Sequence, residues 1–307
     1  MVMTSIIMKH IKKYSKRHLD NSFFELFKPE GKFHVITTIV KEDPYLNFEM
    51  RGNSVEIYYR GGKLLSISNL EELSGLDPKY SSLPIPQPEL HNVQDYINNA
   101  KHIIDKYEST VKNHLGEKEI QQRVVYENNL SVNAQDTDYF IVDTEWANPG
   151  ERADIMAFRW LRPSPLRRTN EVQLTMIEVK QGTKSFKGNA GLQKHITDFE
   201  LLSKDSKEMQ EVAEDMLEIL IQKNELGFIK GLDKYLKDKK KPSINPIVDF
   251  VFLLANYHPY SKILAQTAMT LPPSSKFYIS SFTGYGLYHD FVKTKAEMVS
   301  MFPELFR

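Results

Sequence analysis

Between residues 33 and 70 the apolar positions come in short runs, not in a helical repeat. "FHVITTIV", "YLNFEM", "SVEIYYR" and "KLLSIS" are β-branched or aromatic, and "RGNS" and "RGGK" between the last three supply turn residues. This pattern predicts an antiparallel meander. "SSLPIPQPEL" (81–90) carries three prolines and predicts an extended connector and a domain boundary. Over 91–113 the period changes. Val93, Ile97, Ala100, Ile103, Ile104 and Tyr107 recur near helical spacing until Gly116 breaks the run. A second helix is predicted over 117–129, its stripe passing through Ile120, Val124 and Asn128 and back through Glu117.

Three strand patterns follow: "DYFIVDTEW" (138–146), "ADIMAFRW" (153–160) and "QLTMIEVK" (173–180). A Gly-bearing loop then leads into a long helical region from about 190 to 228, whose first stripe is Leu192, Ile196 and Phe199. "IVDFVFLLANY" (247–257) is apolar enough for a central strand, "SKILAQTAM" predicts a helix, and "KFYISSF" with "GYGLYHDF" predicts late strands. The order helix, three strands, helix, strand within 117–257 implies an α/β (α+β) fold, a mixed central sheet flanked by helices. Residues 1–90 form a separate N-terminal β-rich region in this reading, and 91–307 a second domain.

Composition narrows the chemistry. The chain has no cysteine, which excludes disulfides, thiolate zinc sites, iron–sulfur clusters and cysteine nucleophiles. Forty basic and forty acidic residues cancel, so net charge argues for no polyanionic partner and any basic surface must be local. No apolar run approaches the ~20 residues that span a bilayer. In "MVMTSIIMKHIKKYSKRH" the basic residues follow the apolar stretch, the reverse of a signal peptide. A soluble cytoplasmic protein, with no membrane partner, is the expectation.

Against this background Asp154, Glu178 and Lys180 stand out, because they interrupt segments that otherwise read as buried strand. Side chains alternate along a strand, so Glu178 and Lys180 share a face and Val179 takes the other. If "DIMAF" pairs alongside, Asp154 reaches the same side. Two converging carboxylates repel, and burial makes their ionisation costlier. Lys180 compensates in part. A hard divalent cation compensates more fully, because Mg²⁺ takes oxygen ligands and keeps several waters. Asp154 and Glu178 would be its carboxylate ligands and the Val179 carbonyl a further oxygen donor. Glu145 ends the first strand across a turn from Asp154 and is a candidate second ligand or supporting partner, with Asp143 one step further from the turn. A purely structural ion-pair cluster at a strand end would use the same residues.

Asp154 followed by Glu178-Val179-Lys180, within helix–β–β–β–helix–β, resembles the PD-(D/E)xK nuclease superfamily, the restriction endonuclease-like fold. The resemblance covers roughly residues 115–257. Arg152-Ala153 precede Asp154, so the proline of the motif name is missing. The resemblance implies Mg²⁺-dependent hydrolysis of phosphodiesters, with Mn²⁺ as a substitute and DNA as the expected substrate. It also implies a Glu from the helix before the first strand, for which Glu117 is favoured over Glu119. A Gln is implied on the helix after the ExK strand, which "GLQKHITDFE" offers as Gln193, followed by Lys194 and His195. His195 reads as structural or phosphate-contacting. Thus Asp154, Glu178, Lys180, Glu117 and Gln193 are the catalytic candidates, and Asp154, Glu178, Val179 and Glu145 the metal-binding ones.

Basic clusters at 9–18, 159–168, 183–188 and 237–241 are candidates for contacting a nucleic-acid backbone, and the middle two flank the motif strands. Tyr58 and Tyr59 offer a stacking platform, with sheet packing as the alternative. Residues 1–90 keep three roles open: substrate binding, homodimer formation, or shielding of a sheet. A non-catalytic nucleic-acid-binding or assembly module on the same fold is the alternative to a nuclease. An unrelated α+β enzyme has less support, since no Gly-rich phosphate loop, nucleophile elbow or His-rich metal pattern is present, and "GYGLYHD" is too loose for a nucleotide loop.

Overall fold

The computed structural model describes residues 14–110, 116–148, 151–164, 168–182, 186, 191–203, 206–236, 241–258 and 261–301. The first elements among the described residues are two helices, α1 (Asn21–Glu25) and α2 (His34–Glu42). A four-stranded antiparallel sheet follows, in the order β1-β2-β3-β4: β1 (Leu46–Met50), β2 (Ser54–Tyr59), β3 (Gly62–Ser68) and β4 (Leu73–Ser74). The strand expected over 33–40 is therefore a helix. Its β-branched residues also satisfy a helical period: Ile36, Ile39 and Val40 are buried on one face, and Thr37 Oγ1 donates to the Phe27 carbonyl at 2.9 Å. Packing against that apolar layer overrides strand propensity.

The predicted strands of the meander form, and β2 shows the alternation that a half-buried strand requires. The β2–β3 turn is tight, with Arg60 at φ 48° and Gly61 at φ 79°. Two left-handed residues in succession match the right-handed twist of a hairpin. β1 is buried on both faces. Phe48 packs on Phe27 and Phe228, while Asn47 and Glu49 turn the other way to meet Thr144.

Next come α3 (Val93–Thr110) and α4 (Glu117–Val125), the latter continued by one π-helical turn, Tyr126–Leu130. The second sheet is mixed and seven-stranded. Its strands are β5 (Tyr139–Asn148), β6 (Glu151–Arg159), β7 (Glu171–Gln181), β8 (Ser243–Ile244), β9 (Asp249–Ala255), β10 (Lys276–Ile279) and β11 (Lys293–Thr294). The order is β11-β10-β9-β7-β6-β5, with β8 beside β7. β5, β6 and β7 are antiparallel neighbours, whereas β9 runs parallel to β7 and β10 parallel to β9. A parallel return needs a crossover. Here α5 (Leu192–Leu202), α6 (Ser206–Glu225) and α7 (Asp233–Leu236) supply it, so the long helical region is broken between α5 and α6. α8 (Lys262–Met269), α9 (Ser280–Thr283) and α10 (Lys295–Ser300) complete the chain. "GYGLYHDF" forms no strand. It is turn and a short 3₁₀ segment, His289–Phe291, where the Asn128 amide accepts from the Leu287 N–H.

Helices cover both faces of this sheet. α4 packs Ile120 and Val124 against Ile155, Ile177 and Val179 on one face. α5 packs Leu192 and Ile196 with Phe252 and Leu254 on the other. The largest apolar cluster runs without interruption from the N-terminal helices and sheet into β5, β6, β7 and α6. A buried polar cluster crosses the same junction. Glu49 accepts from Asn47, from Thr144 and, at 3.1 Å, from Lys223 Nζ, while Asp143 meets Arg17 at 2.9 Å and Arg51 at 2.5 Å. Among the described residues, no helix is long and apolar enough to cross a membrane.

Candidate active site

The site forms where two paired strands part. β6 and β7 pair from Arg159 opposite Gln173 as far as Ile155 opposite Ile177, and there the ladder ends. The next residues are Asp154 and Glu178. β7 continues through Gln181, paired with β9 alone. The Val179 N–H, released from β6, is taken up by the Asp154 carboxylate at 2.8 Å. That single bond anchors Asp154 to the backbone midway between Glu178 and Lys180.

Alternation does the rest. Val179 enters the α4-facing core, and Glu178 and Lys180 take the α5 side, opposite Phe252 and Leu254 in register. Both are almost wholly buried, 5% and 3% exposed, so their charges need partners. Lys180 Nζ donates to Glu178 Oε1 at 2.8 Å. From α5, His195 Nε2 comes within 3.0 Å of the same carboxylate oxygen and 3.2 Å of the ammonium. One ring nitrogen cannot serve both at once: it accepts from Lys180 when bare and donates to Glu178 when protonated.

Electrostatically the fork is overloaded with negative charge. Burial, and then the Glu178 charge, push the Asp154 carboxyl well above the ordinary range, against the pull of the Val179 N–H and Lys180. Burial also raises Glu178; Lys180 opposes this, while Glu117 and Glu145 add to it. Four carboxylates thus bear on the fork, against the buried Lys180 and the exposed Lys118 that pairs with Glu145. An oxygen-rich, undercompensated set of this kind suits a hard cation. Among the described residues, however, no three His, Asp or Glu side chains stand together as a metal cage. Any cation here would rest on two carboxylates, backbone oxygen and water, the low protein-ligand count that Mg²⁺ tolerates.

The remaining candidates surround the fork. Glu117 lies in the first turn of α4 and accepts from the Gln181 N–H at 3.3 Å, so it closes the fork from the α4 side. Glu119 turns away, to Arg60 at 3.3 Å and Arg123 at 2.9 Å. Glu145 stands between the register pairs Thr144–Ile155 and Trp146–Ala153, hence across from Asp154, with a left-handed backbone at φ 54°. It is held by Gln121 at 2.9 Å and Lys118 at 3.2 Å. Gln193 is exposed at the start of α5, as is Lys194, which pairs with Asp198. The side chain that α5 brings to the carboxylate and lysine is His195.

Asp143 departs from expectation. A bulge between Ile141 and Asp143, and the left-handed turn at Glu145, break the simple alternation along β5. Asp143 is instead buried against Arg17 and Arg51, away from the fork. Tyr58 and Tyr59 are engaged as well: Tyr58 donates to Glu56, and Tyr59, pushed up to about 12 by burial and Asp105, donates to Asp105 at 3.0 Å. Two residues were undervalued by sequence reasoning. Gln121 follows Glu117 by four positions, the spacing that shares a helix face, and His195 follows Leu192 by three on the buried stripe of α5. Of the basic clusters, residues 9–13, 165–167, 183–185, 187–188 and 237–240 lie outside the described residues.

Compared with models of protein families, with curated proteins and with solved structures, the chain matches none.

Proposed function

We propose that this chain is a metal-dependent nuclease of the PD-(D/E)xK type, hydrolysing phosphodiester bonds in DNA, on a restriction endonuclease-like core. The observation that supports it most is the parted ladder: Asp154 bonded to the Val179 N–H, between a buried Glu178 and a buried Lys180. A structural ion pair needs one acid and one base. Here a second, half-buried acid is held beside the first, at a cost that a resting protein gains nothing from.

A divalent cation would be carried by Asp154 and Glu178 with the Val179 carbonyl as a further oxygen donor, while Glu145, held by Gln121 and Lys118, would support the site from beside it and is not a third ligand. Bound there, it would supply polarisation of a phosphate oxygen and acidification of a coordinated water. The protein's own part is positional and electrostatic. Lys180 places a desolvated ammonium beside the reacting phosphate, where it steers the attacking water and stabilises charge developing on the phosphoryl oxygens. Its contact with Glu178 holds the ammonium in place before substrate arrives. His195 braces the same pair from α5. Glu117 and Glu145 keep the site anionic and so favour a cation over a second lysine.

One observation favours the other reading, a non-catalytic nucleic-acid-binding or assembly module. Lys180, Glu178 and His195 already contact one another, and no three-residue metal cage accompanies them among the described residues. Cleavage decides between the two. Supercoiled, linear and single-stranded DNA are incubated with wild type and Lys180→Ala in Mg²⁺ or Mn²⁺. The nuclease reading expects metal-dependent cutting that falls by at least ~10²-fold in the variant, the scale of losing one transition-state donor. Wild type that binds DNA, cuts none of the three forms and keeps its affinity in Lys180→Ala leaves the binding module standing.

A further inference from the structure

Two clefts of similar size have linings opposite in sign. One, about 660 Å³, is lined by Glu211, Glu214, Asp215 and Glu218 with Lys16 and His18. The other, about 580 Å³, lies between the proline-rich connector and α3. Among the described residues its lining includes Lys79, His102 and Lys106 and no carboxylate, with Asp77 just outside it, 3.5 Å from Lys79. A polyanion is repelled by the first cleft and attracted by the second.

The second cleft also presents aromatic surface. Tyr80 and Tyr107 meet edge-on, ring centroids 5.1 Å apart at 79°. In such a pair the ring that offers its edge keeps both faces clear of its partner. Lys79 Nζ stands 4.9 Å above the Tyr80 ring, so a cation and a π-face are presented together. Ser81, Ser82 and Asn99 add neutral hydrogen-bonding groups to the wall, and Pro84 and Pro86 make the opposite rim stiff. Lysines for phosphate, tyrosine faces for bases and small polar groups for sugar are the combination that binds an unpaired strand. A duplex hides its base faces and could use only the lysines.

The groove also leads to the fork. The Tyr80 hydroxyl lies 3.2 Å from where a Cβ would stand on Gly62, at the tip of the β2–β3 hairpin. Gly61, beside it, sits against Lys118 and donates its N–H to the Gln122 amide oxygen at 3.1 Å. Lys118 in turn pairs with Glu145, which faces Asp154 across β5 and β6. A strand leaving the groove along this line of contacts would cross the hairpin tip and the first turn of α4 toward the carboxylates.

We infer that the groove between the connector and α3, built on Lys79, Tyr80, Lys106 and Tyr107, is a binding track for one unpaired strand of nucleic acid leading into the Asp154–Glu178 fork. The inference rests on the nuclease reading and gives the N-terminal region the role of holding substrate.

The test is fluorescence anisotropy of a labelled single-stranded oligonucleotide and of its duplex, titrated with salt, with Ca²⁺ in place of Mg²⁺ to suppress cutting. Wild type is expected to prefer the single strand. The exposed pair Lys79→Ala/Lys106→Ala is expected to weaken it roughly ten-fold at low salt and to flatten the slope of log K against log salt by about 1.4, at ~0.7 per lost contact. Tyr107→Ala is expected to weaken it about ten-fold with the slope unchanged, because stacking releases no counterions. Wild type that cuts DNA while both variants keep its affinity and slope overturns the groove alone, as does a preference for duplex. Wild type that neither binds nor cuts any nucleic acid overturns the nuclease reading and the groove together.

Discussion

Asp154 carries a carboxyl whose ionisation the fold opposes. Its raised pKa means that its contribution to stability is greatest below the ordinary value of ~3.9 and is lost as pH rises through the folded-state value. Ionising this carboxyl in the folded state is therefore a net cost. Asp154→Asn removes that charge yet keeps an oxygen to accept from the Val179 N–H. Without metal, the variant is expected to be more stable than wild type at pH 8 by on the order of 1 kcal/mol. The gap should close as pH falls through the raised value and be gone near pH 4. Urea denaturation in chelator at pH 8, 6 and 4 measures it, and a less stable variant at pH 8 would show that Asp154 is structural. Much of this residue-scale picture was legible. The period of two put Glu178 and Lys180 on one face, and Glu117 was separated from Glu119 by its place on the apolar stripe. Asp143 was misread because neither the bulge beside it nor the left-handed Glu145 has a residue type that announces it. An L-residue at φ 54° is forced by its neighbours, and no neighbour is visible in a local window.

At the scale of elements, α4 matters because its first turn carries Glu117, and the β2–β3 hairpin grips that turn. Arg60 reaches Glu119, and Gly61 packs so closely that a Cβ there would lie 2.5 Å from Lys118 Cβ. Gly61→Ala must both strain a φ of 79° and push α4 aside. It is expected to cost more than ~1 kcal/mol in chemical denaturation, and a neutral result would mean that the hairpin does not hold the helix. Element types followed from periodicity wherever one period dominated, as in α3, β2 and β7. They failed where two periods fitted the same residues, as over His34–Glu42, or where tyrosine and glycine resembled strand punctuation, as around Gly284–Phe291. In both places packing from distant segments made the choice.

Across the whole molecule, the junction of the two sheets rests on buried charges that pair with one another. Burial raises Glu49, and Lys223, itself 2% exposed, is what holds it back. Lys223→Met would fill the space and take from Glu49 its closest cation, leaving Arg51 at 3.8 Å, which is expected to cost about 3 kcal/mol. Restoring stability with the double variant Glu49→Leu/Lys223→Met would identify the lost pairing as the cause, and destabilisation unrelieved by the second change would point to packing instead. None of this could be read from the sequence, since the partners stand 174 residues apart. A short motif can be found locally, but a contact of that span exists only once the fold does.

The same cluster constrains how such a chain can change over generations. Asn47, Glu49, Arg51, Asp143 and Lys223 answer one another's charges and hydrogen bonds. A substitution at one of them is tolerated only alongside a compensating one. Among descendants of this sequence the strand at 46–50 and the helix at 206–225 would drift in step, and their covariation would be the trace by which the junction is recognised. The N-terminal sheet is thus poorly suited to being lost or swapped as a cassette, and its history is bound to that of the fork it supports.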